Sequence, residues 1–435
     1  SELRRRRFGE VVRVEIDAAA SAELRNILAS ELDVADDVFF NVDGTVDLGS
    51  YCNVDKLVNG RTDFNLKPME PRTPEGFMGI GSPDELFARI RANDILVHHP
   101  YDSFDDSVLA FINAAADDPH TQAIKMTMYR MSGDGLIVEA LVRAAEAGKQ
   151  VVVVVELKAR FDEAANISWA RRLERAGVHV AYGFVSLKIH TKTCLVIRRE
   201  EEKLTRYCHF GTGNYNARTA RLYTDIGLFT ADPEFGADLS AMFNSLTGFH
   251  VPVVYNHLVV APADMRPRLA ELIRNEAAAG AAGHIRMKMN SLVDPGMIDE
   301  LYAASQAGVR IELIIRGMCC LRPGVPGMSE NISVRSVLGR YLEHTRCYWF
   351  ANGEGLGKPH YLIGSADLMS RNLDRRVEAL VPVTDPMTRA KLDHIIEANL
   401  ADTRRAWTLG SDGSWIAPDA SGTVEMHVLL HELGN

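Results

Sequence analysis

The stretch IVEALVRAAEAGKQVVVVVEL, residues 137 to 157, decides the fold. Its first part places apolar side chains at helical spacing, and Gly148 ends that helix because glycine tolerates the left-handed backbone of a helix end. The run of valines that follows is typical of a strand buried on both faces of a sheet. Helix, glycine and buried strand in this order predict an α/β domain.

The same unit recurs further along the chain. IDELYAASQAGVRIELIIRG, residues 298 to 317, repeats the helix, the glycine stop and the strand. HTK at His190 is matched by HTR at His344, and GTGNYNAR at Gly211 is matched by GSADLMSR at Gly364. The matches keep their order and a nearly constant separation, which predicts two tandem homologous α/β domains.

The domain limits follow from this repeat and from one linker. A Pro/Gly-rich stretch, KPMEPRTPEGFMGIGSP at 67 to 83, separates the repeat from an opening segment. We predict an opening segment at 1 to 83, a first repeated domain at 84 to 257 and a second at 258 to 435.

Composition limits the class of protein. The 435 residues carry a net charge of -10, which argues against extensive nonspecific contacts with nucleic acid. An anionic substrate must therefore meet a local cluster of Arg and Lys. The six cysteines form no CxxC pair, so a reducing cytoplasm is the simpler location. No apolar run approaches the roughly 20 residues that a transmembrane helix needs.

The repeated histidines are the strongest site candidates. LKIHTKTCLVI, residues 187 to 197, reads as one strand on which Lys188, His190 and Lys192 share a face. In the second copy, LEHTRCYWF, His344 and Arg346 share a face in the same way. Two such half-sites across a pseudo-twofold axis predict one symmetric pocket.

This pocket suits phosphoryl transfer. Neutral imidazole is a nucleophile toward phosphorus near pH 7, and a second imidazole can exchange a proton with the attacking or leaving oxygen. Lys192 and Arg346 would stabilise the phosphate charge. We expect the glycine loops to bring main-chain N–H groups and the hydroxyls of Thr212 and Ser365 to phosphate oxygens.

Acids and further arginines complete the candidate site. Asp225 and Glu378 occupy matched positions after the glycine loops and are candidates to orient the imidazoles. Several other cations follow strand-like runs or crowd the second loop, and their concentration favours a polyanionic ligand. These cations are Arg130, Lys158, Arg160, Arg316, Arg371, Arg375 and Arg376.

The chain closely resembles the bacterial polyphosphate kinase family, whose two C-terminal domains have the phospholipase-D-like fold. The resemblance extends in order across most of the chain. It rests on HHPYDSF (98 to 104), MYRMSGD (128 to 134), VELKARFDE (155 to 163), LKIHTK (187 to 192), HFGTGNYNARTARLYTDIGLFTAD (209 to 232), KMNSLVDP (288 to 295), RGMCCLRPGVPG (316 to 327), LEHTR (342 to 346) and GSADLMSRNLDRRVE (364 to 378).

The resemblance implies reversible transfer of the ATP γ-phosphate to inorganic polyphosphate. His190 matches the histidine that the family phosphorylates, and His344 matches the second essential histidine, with a role in nucleotide contact and proton transfer. Tyr223 and Arg316 match nucleotide-binding positions, Tyr223 as a stacking partner for adenine. The implied ligands are ATP or ADP with Mg²⁺, and polyphosphate.

Two arginines match the family's magnesium-phosphate site, Arg130 and Arg160. A permanently protonated guanidinium cannot ligate Mg²⁺, so we expect these side chains to hold phosphate oxygens or metal-bound water. The family's longer chain has an N-terminal helical domain and a complete second domain, of which residues 1 to 83 resemble only the remnant. The resemblance implies weakened ATP binding in this shortened chain and a homo-oligomer for the full-length protein.

Two alternatives stay open. Phospholipase-D-type phosphodiesterases carry HxKxxxxD, but neither HTKTCLVI nor HTRCYWFA has the aspartate, which counts against a diesterase. A polyphosphate-binding fragment without catalytic activity is the other alternative.

Overall fold

A computed structural model describes residues 11–46, 66–129, 135–156, 163–183, 187–248 and 253–432. The chain divides into two compact units, Ser1–Pro68 and Met69–Asn435. In the first unit, strand β1 (Val14–Asp17) pairs in parallel with β2 (Phe39–Val42). Helix α1 (Ala22–Leu32) makes the crossover that parallel strands require.

The second unit contains two halves, each built on a mixed sheet. The first half supplies strands β3 (Ile95–His99), β4 (Thr121–Met128), β5 (Gln150–Val155), β6 (His179–Tyr182), β7 (Lys188–Ile189), β8 (Thr193–Glu200), β9 (Lys203–Gly211) and β10 (Tyr223–Thr230). Its helices are α2 (Pro83–Ala92), α3 (Ala110–Asp117), α4 (Gly135–Glu146), α5 (Glu163–Arg175), α6 (Ala217–Ala220) and α7 (Pro233–Thr247).

The second half repeats this pattern. Its strands are β11 (Val259–Ala261), β12 (His284–Met289), β13 (Arg310–Ile315), β14 (Ile332–Val337), β15 (Leu342–Glu343), β16 (Cys347–Phe350), β17 (His360–Gly364), β18 (Arg376–Pro382), β19 (Ala406–Leu409) and β20 (Trp415–Ile416). Its helices are α8 (Met265–Ala279), α9 (Pro295–Gln306), α10 (Ser370–Arg375), α11 (Pro386–Ala401) and α12 (Met426–Glu432).

Matched strand orders show the duplication. One sheet runs β10-β9-β8-β4-β5-β6, with β3 on the other side of β10, and the other runs β11-β18-β17-β16-β12-β13-β14-β19-β20. In both sheets a helix and a left-handed glycine precede the buried parallel strand, with φ of 83° at Gly148 and 97° at Gly308. The α/β prediction with two homologous domains is therefore confirmed.

A short strand of each half pairs with the sheet of the other half. Strand β7 pairs with β18, Lys188 opposite Arg376, and β15 pairs with β10, Leu342 opposite Tyr223. The prediction of one continuous strand through 187 to 197 is wrong, because the chain leaves one sheet for another between Ile189 and Thr193. The break turns Lys192 inward and leaves it only 2% exposed.

A buried charged triad fixes the strand that precedes His344. Glu343 lies on β15 and accepts hydrogen bonds from Lys288 on β12 and from His427 on α12, the latter at 2.7 Å. All three side chains are almost fully buried. Helix α12 is thus tied to the residue next to a candidate catalytic histidine.

Two negative findings apply to the described ranges. None of their helices is long and apolar enough to cross a membrane. These ranges contain every cysteine but Cys52, and the five cysteines they contain are free thiols.

Candidate active site

His190 and Glu378 form a hydrogen-bonded pair between the two halves. His190 follows β7, Glu378 lies on β18, and the imidazole Nδ1 is 2.8 Å from the carboxylate. Asn372 donates to the same carboxylate at 2.9 Å. Glu378 is fully buried, whereas 13% of the His190 side chain is exposed. Because Nδ1 is held by the acid, Nε2 is the ring nitrogen available to a ligand.

His344 and Asp225 form the equivalent pair, with the histidine in the second half and the acid in the first. The His344 Nδ1 lies 2.8 and 3.0 Å from the two oxygens of Asp225 on β10. The main-chain N–H of His344 donates to the Thr224 hydroxyl at 3.2 Å. Because β7 and β15, here called the exchanged strands, each pair with the sheet of the other half, each imidazole lies against an acid of the other half. The aligned sequence positions did not reveal this crossing.

The loop hydroxyls serve the acids rather than a ligand. Thr212 Oγ1 donates to Asp225 at 2.6 Å and accepts from the Ile226 N–H at 2.9 Å. Ser365 Oγ accepts from the Ala379 N–H at 3.2 Å. Both side chains are buried. The expectation that these hydroxyls reach phosphate oxygens is therefore wrong, because the neighbouring strand already engages them.

Two glycines in these loops are required by close approach. A Cβ at Gly213 would lie 2.1 Å from Asp225 Oδ2, and a Cβ at Gly364 would lie 2.0 Å from the Ala379 carbonyl oxygen. Neither distance is physically possible without a shift. The glycines of the repeated motif therefore make room for the acids and for the strands that carry them.

The cation beside each histidine is deeply buried. Arg346 Nη1 donates to the His344 carbonyl at 2.7 Å and lies 3.0 Å from His344 Nε2, and its guanidinium lies 3.3 Å from Asp367. Lys192 Nζ donates to the His190 carbonyl in the same manner. At the loop position of Asp367 the first half carries the uncharged Asn214. The two cations therefore differ in their carboxylate partner.

This difference sets the ionisation of the site. Burial lowers the pKa of Lys192 to about 7, partly opposed by Glu378, and burial raises the pKa of Glu378 to about 7, partly opposed by Lys192. Burial and the Lys192 charge lower the pKa of His190 well below its usual value. The His190 ring is therefore neutral near pH 7, and its Nδ1–H donates to Glu378 whenever that acid is ionised.

The second pair is ionised differently. Burial and Arg346 lower the pKa of His344, so this ring is neutral as well. Burial would raise the pKa of Asp225, but His344 and the Thr212 hydroxyl outweigh it and keep the pKa below its usual value. Asp225 is thus a fixed anion, while Glu378 is balanced between two protonation states.

The predicted nucleotide-binding residues gather around His344. The Tyr223 ring lies 5.5 Å from the His344 ring, measured between centroids. Arg316 donates to Asn290 Oδ1 at 2.6 and 3.1 Å, and burial together with nearby Arg346 lowers its pKa. Arg376 Nη1 lies 3.6 Å from Glu378, on the His190 side. The exposed Arg371 and Arg375 take no part in these contacts.

Three of the predicted cations, Arg130, Lys158 and Arg160, lie outside the described residues. Sequence reasoning also left Tyr129 without a role. Its ring meets the His190 ring edge-on at 5.2 Å, and the ammonium groups of Lys188 and Lys192 lie 5.0 and 5.5 Å from its centroid. Its position directly before Arg130, at the end of β4, was the available signal.

Asn290 and Asp367 were also missed. The main-chain N–H of Asn290 donates to Asp367 Oδ1 at 2.7 Å and its side-chain Oδ1 accepts from Arg316, so one residue joins Arg316 to the acid that holds Arg346. The matched position of Asp367 in the repeated glycine loops could have indicated the acid. No pattern in the sequence indicated Asn290.

The described residues beside the imidazoles include no group of acids and histidines spaced as metal ligands would be. Among the described residues, one group of three acids and imidazoles is spaced as metal ligands would be: Asp84, Asp118 and His120. It lies at the end of β4 away from the histidines, and Arg198 pairs with both carboxylates. Asp225, Asp367 and Glu378 are each committed to a cation or an imidazole.

The fold and the two half-sites define a class. The protein is a duplicated phospholipase-D-like α/β protein with crossed histidine–acid pairs. The crystal structure of polyphosphate kinase from Porphyromonas gingivalis superposes with a TM-score of 0.85 at 33% identity, over 97% of this chain and 64% of that one. Phosphatidylserine synthase from Haemophilus influenzae has a TM-score of 0.52 at 11% identity, which shows a shared fold alone.

The chain belongs to the polyphosphate kinase family. Three models of that family match it: the middle domain at residues 1–54, C-terminal domain 1 at 85–252 and C-terminal domain 2 at 258–427. Polyphosphate kinase of Mycobacterium avium is 53% identical over 430 residues, which is 98% of this chain and 58% of that protein. The corresponding kinase of Mycobacterium tuberculosis is 51% identical over 428 residues. This chain thus spans less than two thirds of the length of these relatives.

Proposed function

We propose that the chain catalyses reversible transfer of the ATP γ-phosphate to the end of a polyphosphate chain, with His190 as the phosphorylated intermediate. One observation carries the proposal. Each of two neutral imidazoles has its Nδ1 fixed at 2.8 Å from an acid of the opposite half, which leaves Nε2 of His190 for the phosphoryl group and Nε2 of His344 at 3.0 Å from the Arg346 guanidinium. The names of the relatives support the same reaction.

In the first step, the Nε2 lone pair of His190 attacks the γ-phosphorus of ATP. A nitrogen–phosphorus bond forms while the bond to the β,γ-bridging oxygen breaks, and ADP leaves with that oxygen. Positive charge develops on the ring, and the Glu378 carboxylate stabilises it through Nδ1–H. The site needs Glu378 ionised at this stage.

In the second step, a terminal oxygen of polyphosphate attacks the phosphohistidine. The nitrogen–phosphorus bond breaks, its electron pair returns to Nε2, and the polymer grows by one phosphate. His344 is neutral and oriented by Asp225, so its Nε2 can take the proton of a protonated terminal phosphate. The same steps in reverse regenerate ATP from ADP.

Buried cations provide the charge for both steps. Lys192 and Arg346 flank the two imidazoles, and Arg376 adds a guanidinium on the His190 side. Cations in a poorly solvated site attract phosphate oxygens more strongly than they would in water. Mg²⁺ enters as part of the MgATP substrate, and we propose Tyr223 and Arg316 as the nucleotide contacts, next to His344.

Some expectations remain predictions. These are domain limits at 1–83, 84–257 and 258–435, a cytoplasmic location, a homo-oligomer in the full-length protein, and phosphate contacts from Arg130 and Arg160.

Labelling with γ-³²P-ATP and Mg²⁺ tests the proposal. The chain should acquire an acid-labile, base-stable label that His190→Ala abolishes. His394→Ala, which removes an exposed histidine on α11, is the matched control and should label normally. Polyphosphate binding without label would favour the binding-fragment alternative, and hydrolysis of phosphodiesters without label would favour a diesterase.

A further inference from the structure

A small cavity beside Asp225 has the size and lining of a buried-water site. Its free volume is about 20 Å³. A site needs roughly 10–15 Å³ of such space to hold one water molecule. The walls include His99, His209, Asn214 and Asp225.

Three polar atoms of these walls are buried without a hydrogen-bond partner among the described residues. They are His99 Nε2, His209 Nε2 and Asn214 Oδ1. The two histidine side chains are only 4% and 3% exposed. Leaving buried polar atoms unpaired is costly, so native proteins rarely leave three of them together.

The protonation of His99 follows from its other nitrogen. His99 Nδ1 lies 2.7 Å from the Asp102 carbonyl oxygen, which can only accept, so Nδ1 carries the hydrogen. Burial lowers the pKa of His99, and the ring is therefore neutral with a lone pair on Nε2. That lone pair requires a donor, and Asn214 Oδ1 requires one as well.

His209 can supply the complementary hydrogen. Its Nδ1 lies 2.8 Å from the Tyr215 hydroxyl, which can donate to it. The Nε2 of His209 then carries the ring hydrogen, because burial lowers the pKa of this imidazole to about 3 and keeps it neutral. The walls thus offer two acceptors and one donor, which match the two hydrogens and a lone pair of water.

We propose that this cavity is a binding site for one ordered water molecule, which donates to His99 and Asn214, accepts from His209 and positions Asp225. His99 is the cross-strand neighbour of Asp225 in the β3–β10 pair, so a fixed His99 ring limits where that carboxylate can move. The water site itself stands without the proposed function. Its effect on catalysis rests on the proposed role of Asp225 in orienting His344.

A crystal structure of the chain at better than about 1.5 Å tests the site. We expect a water peak about 2.7–3.2 Å from both Nε2 atoms. In ¹⁵N spectra, His99 should be the Nδ1–H tautomer and His209 the Nε2–H tautomer. A cavity without density, an anomalous signal from a metal ion, or the opposite tautomers would overturn the proposal. These readouts need no activity, so they are independent of whether the chain is a kinase.

Variants test the positioning role. Gly227→Ala would place a Cβ 2.6 Å from His209 Nε2 and so fill the site without removing a polar group. His99→Leu removes the acceptor, and His99→Gln restores one. We expect about tenfold slower transfer from phosphorylated His190 to polyphosphate for the first two variants, with His99→Gln recovering most of the rate. Thermal unfolding screens each variant for folding. Folded His99→Leu with an unchanged rate and pH profile would overturn the role.

Discussion

His190 and Glu378 are 188 positions apart in the chain, yet the imidazole Nδ1 lies 2.8 Å from the carboxylate. His344 reaches Asp225 over the same 2.8 Å in the reverse direction. Each half therefore supplies one imidazole and one acid, and that acid contacts the imidazole of the other half. Neither half contains a complete half-site.

The crossed pairing predicts that an acid in one half controls the nucleophile of the other. Glu378→Ala should slow phosphorylation of His190 by about 10²- to 10⁴-fold, because the ring loses its orientation and its charge partner. Glu378→Gln should lose less, since the amide oxygen still accepts Nδ1–H. Rapid-quench labelling measures the rate. Glu397→Ala, which removes an exposed glutamate, should behave as the unmodified chain does. Equal rates for Glu378→Ala would contradict the pairing.

The pH dependence of kcat/KM should be bell-shaped around neutrality. Below a pKa of about 7, Glu378 takes up a proton and loses the negative charge that stabilises the positive ring formed when His190 attacks phosphorus. Above a pKa of about 7, Lys192 loses its charge and attracts phosphate less. The two groups interact, so both limbs report the pair.

A substitution at Lys192 separates the two limbs. Lys192→Arg keeps its charge at every accessible pH, so the alkaline limb should disappear while the acid limb stays. Initial rates between pH 5.5 and 9 provide the test. If the alkaline limb persists in this variant, that limb reports the titration of a group other than Lys192.

A methyl group at Gly213 should disable the His344 side of the site. The added Cβ would lie 2.1 Å from Asp225 Oδ2, so the carboxylate must leave its hydrogen bond to His344. We expect Gly213→Ala to lose turnover by about 10²-fold, similar to Asp225→Asn. Gly81→Ala, whose nearest neighbour is a Glu85 oxygen at 3.7 Å, is the matched control. Normal turnover with an unmoved Asp225 would exclude the close-approach argument.

Sequence reasoning reached the fold through local patterns that repeat. Helix, glycine and buried strand at 137 to 157 and at 298 to 317 were sufficient for two α/β domains, because periodicity and glycine stops are local properties. The pairing of β7 with β18 was not predictable, since a two-residue strand has almost no pattern. For the same reason, the break between β7 and β8 left no signal, and one continuous strand through His190 was predicted.

The sequence nominated histidines and acids that the structure brings together, but not the contacts between them. Aligned positions nominated both histidines and both acids, yet alignment within a chain cannot tell which acid meets which ring. The full burial of Lys192 was not predictable either, because lysines are rarely fully buried and its position inside depends on the pairing of β7 with β18.

Two arginines of similar sequence context should differ in nucleotide binding. Arg316 is half-buried and anchored by Asn290 near Tyr223, whereas Arg371 is exposed. Arg316→Ala should raise the KM for ATP by about ten- to a hundredfold, equivalent to the loss of one charge-assisted contact of about 1.5–3 kcal/mol. Arg371→Ala should change it less than twofold. Initial rates over a range of MgATP concentrations decide, and equal effects would remove Arg316 from the nucleotide site.

The buried triad predicts a stability effect at some distance from the phosphate. Glu343→Gln leaves Lys288 buried without its carboxylate, which should cost about 3–5 kcal/mol. Loss of the C-terminal contact through His427 adds to it. The midpoint of urea unfolding measures the change, and Glu432→Gln near the end of α12 is the control. A Glu343→Gln midpoint equal to that of the unmodified chain would show that the triad contributes little.

The triad also predicts the direction in which stability changes at acid pH. Lys288 and His427 outweigh burial and hold the pKa of Glu343 below its unfolded value. The stabilisation is therefore present above the unfolded pKa and is lost as the pH falls toward the native pKa. The unfolding midpoint of the unmodified chain should fall more between pH 5 and pH 3 than that of Glu343→Gln.

The exchanged strands also determine when the contact between His190 and Glu378 can form during protein synthesis. A ribosome releases His190 long before it has made Glu378, and domains generally fold as they emerge. The contact that closes the site is among the most distant in the sequence, and such contacts form late. A nascent chain consequently carries an unoriented imidazole, and under the proposed function His190 becomes competent for phosphorylation only when the second sheet has docked.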